Sequence, residues 1–264
     1  MNGPAPVLYE VDESVARITL NRPATLNALN PDLMRGVRAA LAEVVADRAV
    51  RVVVITGAGR GFCAGADLAD VARDSAQAGA PGASGNLYND TLRDIANCPV
   101  PTIARVNGPA AGGGFGLALA CDISIAAASA FFVATFGPRL GIVPDLGATW
   151  NIPLRVGRAR ALGITLLGER ISAAQAVEWG LIWQCVDDDA LDTEIDRIAN
   201  VLKRSSPAAA TRIRESIDAA FRQSFSEQLD LEMRHQAVLI PRNMREGARA
   251  FMERREPSFE GERD

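Results

Sequence analysis

The sequence predicts an α/β fold: a spiral of stacked ββα turns followed by a run of C-terminal helices. Three observations lead there. An apolar strand, a glycine-rich loop and a helix follow one another twice, first from Arg51 and again from Thr102. The strands entering both loops are short and β-branched, as buried strands are. From Leu154 onward the apolar residues recur mostly at helical spacing. The repeated order favours stacked turns over one doubly wound sheet.

Val7–Val11 and Val15–Leu20 read as two strands around a turn at Asp12–Glu13. Asn30 suits an N-cap and Pro31 a first helical position, so a helix is expected from Pro31 to Ala46. Arg51–Thr56 is the first buried strand, and Gly57–Leu68 is its loop. Residues Asp74–Gly85, rich in Ala, Gly, Ser and Pro, read as a mobile surface loop, with a helix over Asn89–Asn97. Thr102–Val106 is the second strand, and Gly113–Ala120 the helix beyond the glycines. Ile123–Ala127 and Phe131–Ala134 read as short strands. Further helices are expected after Ser172, with Gly180 as a C-cap, and over Ala190–Lys203, Pro207–Phe221, Ser226–Val238 and Asn243–Arg254. This divides the chain into a core, residues 1–200, and a helical region, residues 201–264. Several helices on a small body leave apolar stripes uncovered, which predicts contacts between subunits.

Composition narrows the function. Of 264 residues 48% are hydrophobic and 23% charged, and the net charge is −4, so no basic field favours nucleic acid. The four cysteines form no C-x-x-C pair, which argues against zinc and dithiol redox sites. No apolar run is long enough to span a bilayer, and the N-terminal stretch has no basic-then-apolar pattern. A cytoplasmic protein is expected, with no membrane partner.

The chemistry centres on Pro109–Asp122. Gly112–Gly113–Gly114 lies at a strand-to-helix turn, where unpaired amides and the positive end of the helix dipole suit an oxygen that becomes negative. The loop Gly61–Asp67 follows the neighbouring strand. Side by side, the two loops would aim one N–H each at a single oxygen, an oxyanion hole without side chains. A thioester carbonyl is the natural guest. The alternative is that the glycines only allow tight packing.

GRGFCAGADL and then NGPAAGGGFGLALACDI resemble the crotonase superfamily, the enoyl-CoA hydratases and isomerases. NRPATLNALN, LGIVPDLGATWNIPLRVGRARAL, GERISAAQAVEWGLI and REGARAFMERREPSFEG extend the resemblance over nearly the whole chain. It implies a crotonase-like spiral whose C-terminal helices assemble trimers or pairs of trimers. It also implies an acyl-CoA substrate with no separate cofactor. The oxyanion amides then fall on Ala66 and Gly113. CoA contacts fall on Ala64, Asp67 and Leu68, with Arg22 and Ala24 in the bordering loop and Gly112 and Gly116 lining the site.

Hydratases of this superfamily use two glutamates. Here one position is Gly116, and the other falls in Phe136–Gly141, which has no carboxylate. Water addition needs an acid and a base, so the departure weakens a hydratase reading. Asp145 remains, in an apolar, glycine-rich segment where burial should raise its pKa. The resemblance gives this position to the aspartate of several isomerases; the alternative is an N-cap for the next helix. A lone acid suits isomerisation, moving a proton from C2 to C4 of a 3-enoyl thioester. VPDLGATW and AVEWGLIWQCVDDDAL resemble bacterial isomerases that act on a ring-epoxide CoA thioester.

Two other classes remain open. Gly59–Ala64 matches G-x-G-x-x-A after a strand, but the ribose-binding acid of a dinucleotide site is not evident. A non-catalytic CoA-fold binding protein is the other. His235, the only histidine, reads as structural. Cys63 reads as a buried filler, Asp122 as fixing the start of the strand after the glycine helix, and Trp150, Trp179 and Trp183 as packing.

Overall fold

The computed structural model describes residues 4–70, 83–259, 261 and 263, with side chains for all of these except 83–86. β1 (Val7–Asp12) and β2 (Val15–Leu20) form an antiparallel hairpin that turns through Glu13 and Ser14, both at positive φ. β3 (Val52–Gly57), β4 (Thr102–Val106), β6 (Ile123–Ala127) and β9 (Gln184–Val186) then add one at a time, each parallel to the last. The order β1-β2-β3-β4-β6-β9 never doubles back. A doubly wound sheet reverses its order at a switch point, so this is the spiral of stacked turns that the sequence predicts. β5 (Ala110–Ala111), β7 (Phe131–Val133) and β8 (Ile171–Ser172) make a second, smaller sheet.

Burial explains the strand sequences. All six residues of β3 are buried, hence its unbroken apolar run, whereas β2 alternates and buries only Ala16, Ile18 and Leu20. Helix α1 (Pro31–Ala46) starts where its cap residue dictates: the Asn30 side chain accepts from the Leu33 N–H at 2.9 Å. It lays Leu33, Met34, Val37, Leu41 and Val44 on the sheet. Near its far end the buried Arg263 guanidinium donates to the carbonyls of Val44, Asp47 and Val50, so the chain terminus folds back onto the core.

Helix α2 (Ala83–Ala96), which packs on α1, begins six residues before the expected Asn89. Of the segment expected as a mobile loop, residues 83–85 belong to this helix and residues 74–82 lie outside the described residues. Helix α3 (Gly113–Ala120) is wholly buried from Gly113 to Leu119. Helix α4 (Ala148–Leu167) starts before Leu154, carries Pro153 inside it, and is kinked at Gly157, whose backbone leaves the helical region (φ 76°).

Helices α5 (Ala173–Glu178) and α6 (Leu191–Leu202) lead to α7 (Pro207–Ala220), α8 (Phe225–Leu239) and α9 (Arg245–Glu253). Gly180, at φ 74°, follows α5 as the expected stop. Helices α7 and α8 pack on each other, and α8 buries no residue; Phe225 is 79% exposed and Met233 70%. Arg214 ties α7 to the core. It grips Asp122 with two 2.7 Å bonds and donates to the Ala96 and Cys98 carbonyls. Asp122 also accepts from the Thr102 N–H at 2.8 Å, so it holds the start of β4.

Candidate active site

Main-chain bonds stitch the two glycine loops together. The Cys63 N–H donates to Pro109, and the Ala111 N–H donates back to Cys63, a one-residue parallel ladder between the loops. On the outer side the Leu29 N–H donates to the Gly65 carbonyl at 2.7 Å and the Asp67 N–H to the Leu29 carbonyl at 2.9 Å. Groups alternate along an extended chain, so the Ala66 N–H faces away from Leu29. It has no partner among the described residues.

Gly113 opens α3, and its N–H is one of the helix's orphan donors, again without a partner among the described residues. The loops touch where the glycines are. Gly65 has φ 89°, and a Cβ there would lie 3.2 Å from the Gly113 nitrogen and 2.8 Å from the Ala111 carbonyl oxygen. Glycine is therefore required at 65 both for its backbone angle and for the close approach. Gly112 donates to Val133, which ties the second loop to β7.

Asp145 lies on a turn that presses on α3. The Leu146 side chain reaches Gly113: a Cβ at 113 would lie 2.6 Å from Leu146 Cδ1 and 2.9 Å from Leu29 Cδ1. A Cβ at Gly116 would collide with the Leu146 carbonyl oxygen. Leu146 is buried at positive φ (49°), a conformation that costs a branched side chain about 1–3 kcal/mol. The Asp145 side chain does not cap α4. The N-cap position is Gly147, without a side-chain bond, and the Asp145 carbonyl accepts from the Ala148 N–H at 3.0 Å. Asp145 is open to solvent in the single chain rather than enclosed, yet crowding on its inner side still raises its pKa. A bond from its own amide opposes the shift.

Arg22 and Asp67 pair with each other at 2.8 Å, and that bond holds the Asp67 carboxyl below the usual range. Arg22 also donates to the Ala28 carbonyl. Buried Asn27 sets the loop by accepting from the Arg22 N–H and donating to the carbonyls of Ala58 and Gly61. The Ala64 N–H is taken by Leu26, while the Leu68 side chain is exposed. An open groove of about 1010 Å³ takes in Arg22 and Ala24 but none of the other expected site residues. A second groove of about 570 Å³, between α1 and α2, contains none of them.

Some expectations are corrected. His235, read as structural, gains partners the sequence did not show: it bridges α8 to α7, 2.9 Å from the Ser216 hydroxyl and 3.3 Å from the Glu215 carboxyl. Trp150 and Trp183 are 56% and 68% exposed, so neither packs within the chain. Trp179 is partly buried beneath the Arg160 guanidinium. Cys63 is a buried filler as expected, and burial pushes its thiol up to about 12. Sequence reasoning missed Leu146, because leucine carries no turn signal.

A family model described as enoyl-CoA hydratase/isomerase matches residues 10–262. The chain belongs to that family. The enoyl-CoA hydratase/isomerase assignment has close support. The chain is 42% identical to the 1,2-epoxyphenylacetyl-CoA isomerase of Escherichia coli K12, over 97% of this chain and 98% of that one. It is 40% identical to a probable enoyl-CoA hydratase of Rhodobacter capsulatus, with the same coverage. A crystal structure of an enoyl-CoA hydratase from Polaromonas sp. JS666 superposes with a TM-score of 0.91 at 33% identity, covering 96% of this chain and 99% of that one. The fold is therefore the crotonase fold. A Cβ on Gly116, the position at which the sequence resemblance expects one hydratase glutamate, would collide with the Leu146 carbonyl oxygen. Residues Phe136–Leu140 form one wide helical turn that offers Arg139 but no acid.

Proposed function

We propose that this protein isomerises an acyl-CoA thioester, with the Ala66 and Gly113 amides sharing the thioester oxygen and Asp145 carrying the proton. One observation carries the reading: the backbone of the Asp145–Gly147 turn occupies the space beside Gly116, leaving no room there for a second acid. With a 3-enoyl-CoA, the Asp145 carboxylate removes a proton from C2. The negative charge spreads onto the thioester oxygen as a dienolate, and the two amides stabilise it. Asp145 then returns the proton at C4, giving the conjugated 2-enoyl-CoA without consuming water or a cofactor.

Likeness to the Escherichia coli enzyme makes 1,2-epoxyphenylacetyl-CoA the second substrate to try. The loop of Ala64, Asp67 and Leu68, with Arg22 and Ala24 alongside, would border the CoA. The Arg22–Asp67 pair would set that loop's shape more than bind phosphate. Exposed Phe225, Met233 and their neighbours support a trimer, or a pair of trimers, built through the C-terminal helices.

The hydratase reading rests on several relatives and solved structures that bear that name, the Rhodobacter capsulatus and Polaromonas proteins among them. An acyl-CoA panel separates the two. Isomerase action turns 3-enoyl-CoA into 2-enoyl-CoA with rising conjugated absorbance. Loss of that absorbance from crotonyl-CoA at a comparable rate would overturn the proposal.

A further inference from the structure

The Asp145 turn and the oxyanion helix are joined at a second place, distant from the substrate amides. The Gly147 carbonyl accepts from the Asn151 backbone N–H at 2.8 Å and from the Asn151 side-chain amide at 3.2 Å. The Asn151 side-chain oxygen in turn accepts from the Arg155 guanidinium at 3.1 Å. The other arm of Arg155 donates at 2.8 Å to the Leu119 carbonyl, in the last turn of α3. Two side chains thus connect the turn bearing the acid to the helix whose first amide is Gly113.

The arrangement suits rigid positioning. Carbonyls in a last helical turn lack internal partners and favour a cation, so the guanidinium is anchored at α3. A planar fork holds two acceptors in fixed directions, which a freely rotating ammonium does not. The part of α4 carrying both residues ends at the Gly157 kink, with Ile152 and Val156 buried in the core. Burial also lowers the Arg155 pKa, which marks a guanidinium drawn out of water to make these bonds.

We infer that Arg155, acting through Asn151, is a positioning residue that sets the distance between the Asp145 carboxylate and the Gly113 amide. The inference rests on the isomerase reading above. The plainer alternative is a helix cap for α3 that serves stability alone.

The test measures turnover of a 3-enoyl-CoA and binding of a saturated acyl-CoA of equal length. Misplacing a reacting group by about 1 Å costs on the order of 10²-fold. Arg155→Met should therefore lower kcat roughly 10- to 100-fold, with saturated acyl-CoA affinity unchanged. Arg155→Lys should recover part of the loss. Asn151→Ala, which leaves the Arg155–Leu119 bond in place, should lower kcat by a smaller factor. In an Asp145→Asn background the Arg155→Met loss should disappear, since a residue acting through another has no separate effect.

The inference is overturned if kcat holds in Arg155→Met, if affinity falls as far as kcat, or if the full loss persists beside Asp145→Asn. Should Arg155→Met fail to fold, Asn151→Ala in both backgrounds decides by the same criteria. Wild-type turnover by Asp145→Asn alone would instead remove the isomerase mechanism. Impaired Asp145→Asn beside unimpaired Arg155 and Asn151 variants would remove only this inference.

Discussion

The two halves of the candidate site are held in different ways. The amide half, Cys63–Asp67 against Pro109–Gly113, is main chain bonded to main chain, stitched at Cys63 and buttressed at Leu29 and Val133. The acid half is one turn at the start of α4, held by a strained Leu146, the carbonyl of Gly147 and the side chains of Asn151 and Arg155. The first half barely depends on side-chain identity beyond its glycines. The second depends on a few side chains, and one substitution can move it. A frame that fixes the charge-stabilising half in backbone and leaves the proton-handling half to a turn can change its reaction without changing its fold.

Substitutions in the two halves should therefore fail differently. The largest effect is expected at the acid itself: Asp145→Asn should cut isomerase kcat by about 10²–10⁴-fold at unchanged acyl-CoA affinity. A loss below tenfold in steady-state kinetics would remove Asp145 from the mechanism. In the amide half, Gly65→Ala must push the Ala111 carbonyl and crowd the Gly113 amide at an angle alanine resists. Loss of one oxyanion donor costs roughly 10²–10³-fold, and a displaced donor should approach its lower end. Normal turnover by a folded Gly65→Ala, checked by circular dichroism, would contradict the hole. Gly116→Ala sharpens the contrast. Its methyl displaces the Leu146 carbonyl and the turn with it, so kcat should fall about tenfold while saturated acyl-CoA still binds. Loss of binding instead would mean that the two halves are not separable.

Much of this was legible in the sequence, for reasons that differ by element. The bounds of α1 follow from the Asn30 cap and Pro31, and those of α3 from the glycine run. The preference for stacked turns over a doubly wound sheet followed from two strand–loop–helix repeats. What stayed hidden depends on tertiary contact. Helical spacing was read only from Leu154 onward, yet α4 starts at Ala148, runs through Pro153 and bends at Gly157. Nothing local marks Leu146 for positive φ, or His235 as the partner of Ser216 on another helix. The Asp145 environment was half legible: the raised pKa is present, but the enclosure expected around it is not complete in one chain.

The smallest effects are those of pH. Only ionised Asp145 can act as a base, so kcat/KM should rise with pH through its raised pKa, above the ordinary 3.8. Stability runs the other way. A carboxyl whose folded pKa is raised contributes below its unfolded value and loses that contribution as pH rises through the folded one. Asp145→Asn should therefore be neutral to slightly stabilising in urea at pH 8, with the difference vanishing as pH falls below the ordinary 3.8. A variant destabilised at pH 8 would mean that the carboxylate makes a favourable contact when ionised.

The central claim is that one acid and two amides move a hydrogen without adding water. Mass spectrometry of the products formed from a 3-enoyl-CoA in H₂¹⁸O tests it most directly. The account predicts conjugated 2-enoyl-CoA as the product, with no ¹⁸O in the acyl chain. An ¹⁸O-labelled 3-hydroxyacyl-CoA formed at the rate of substrate loss would contradict it.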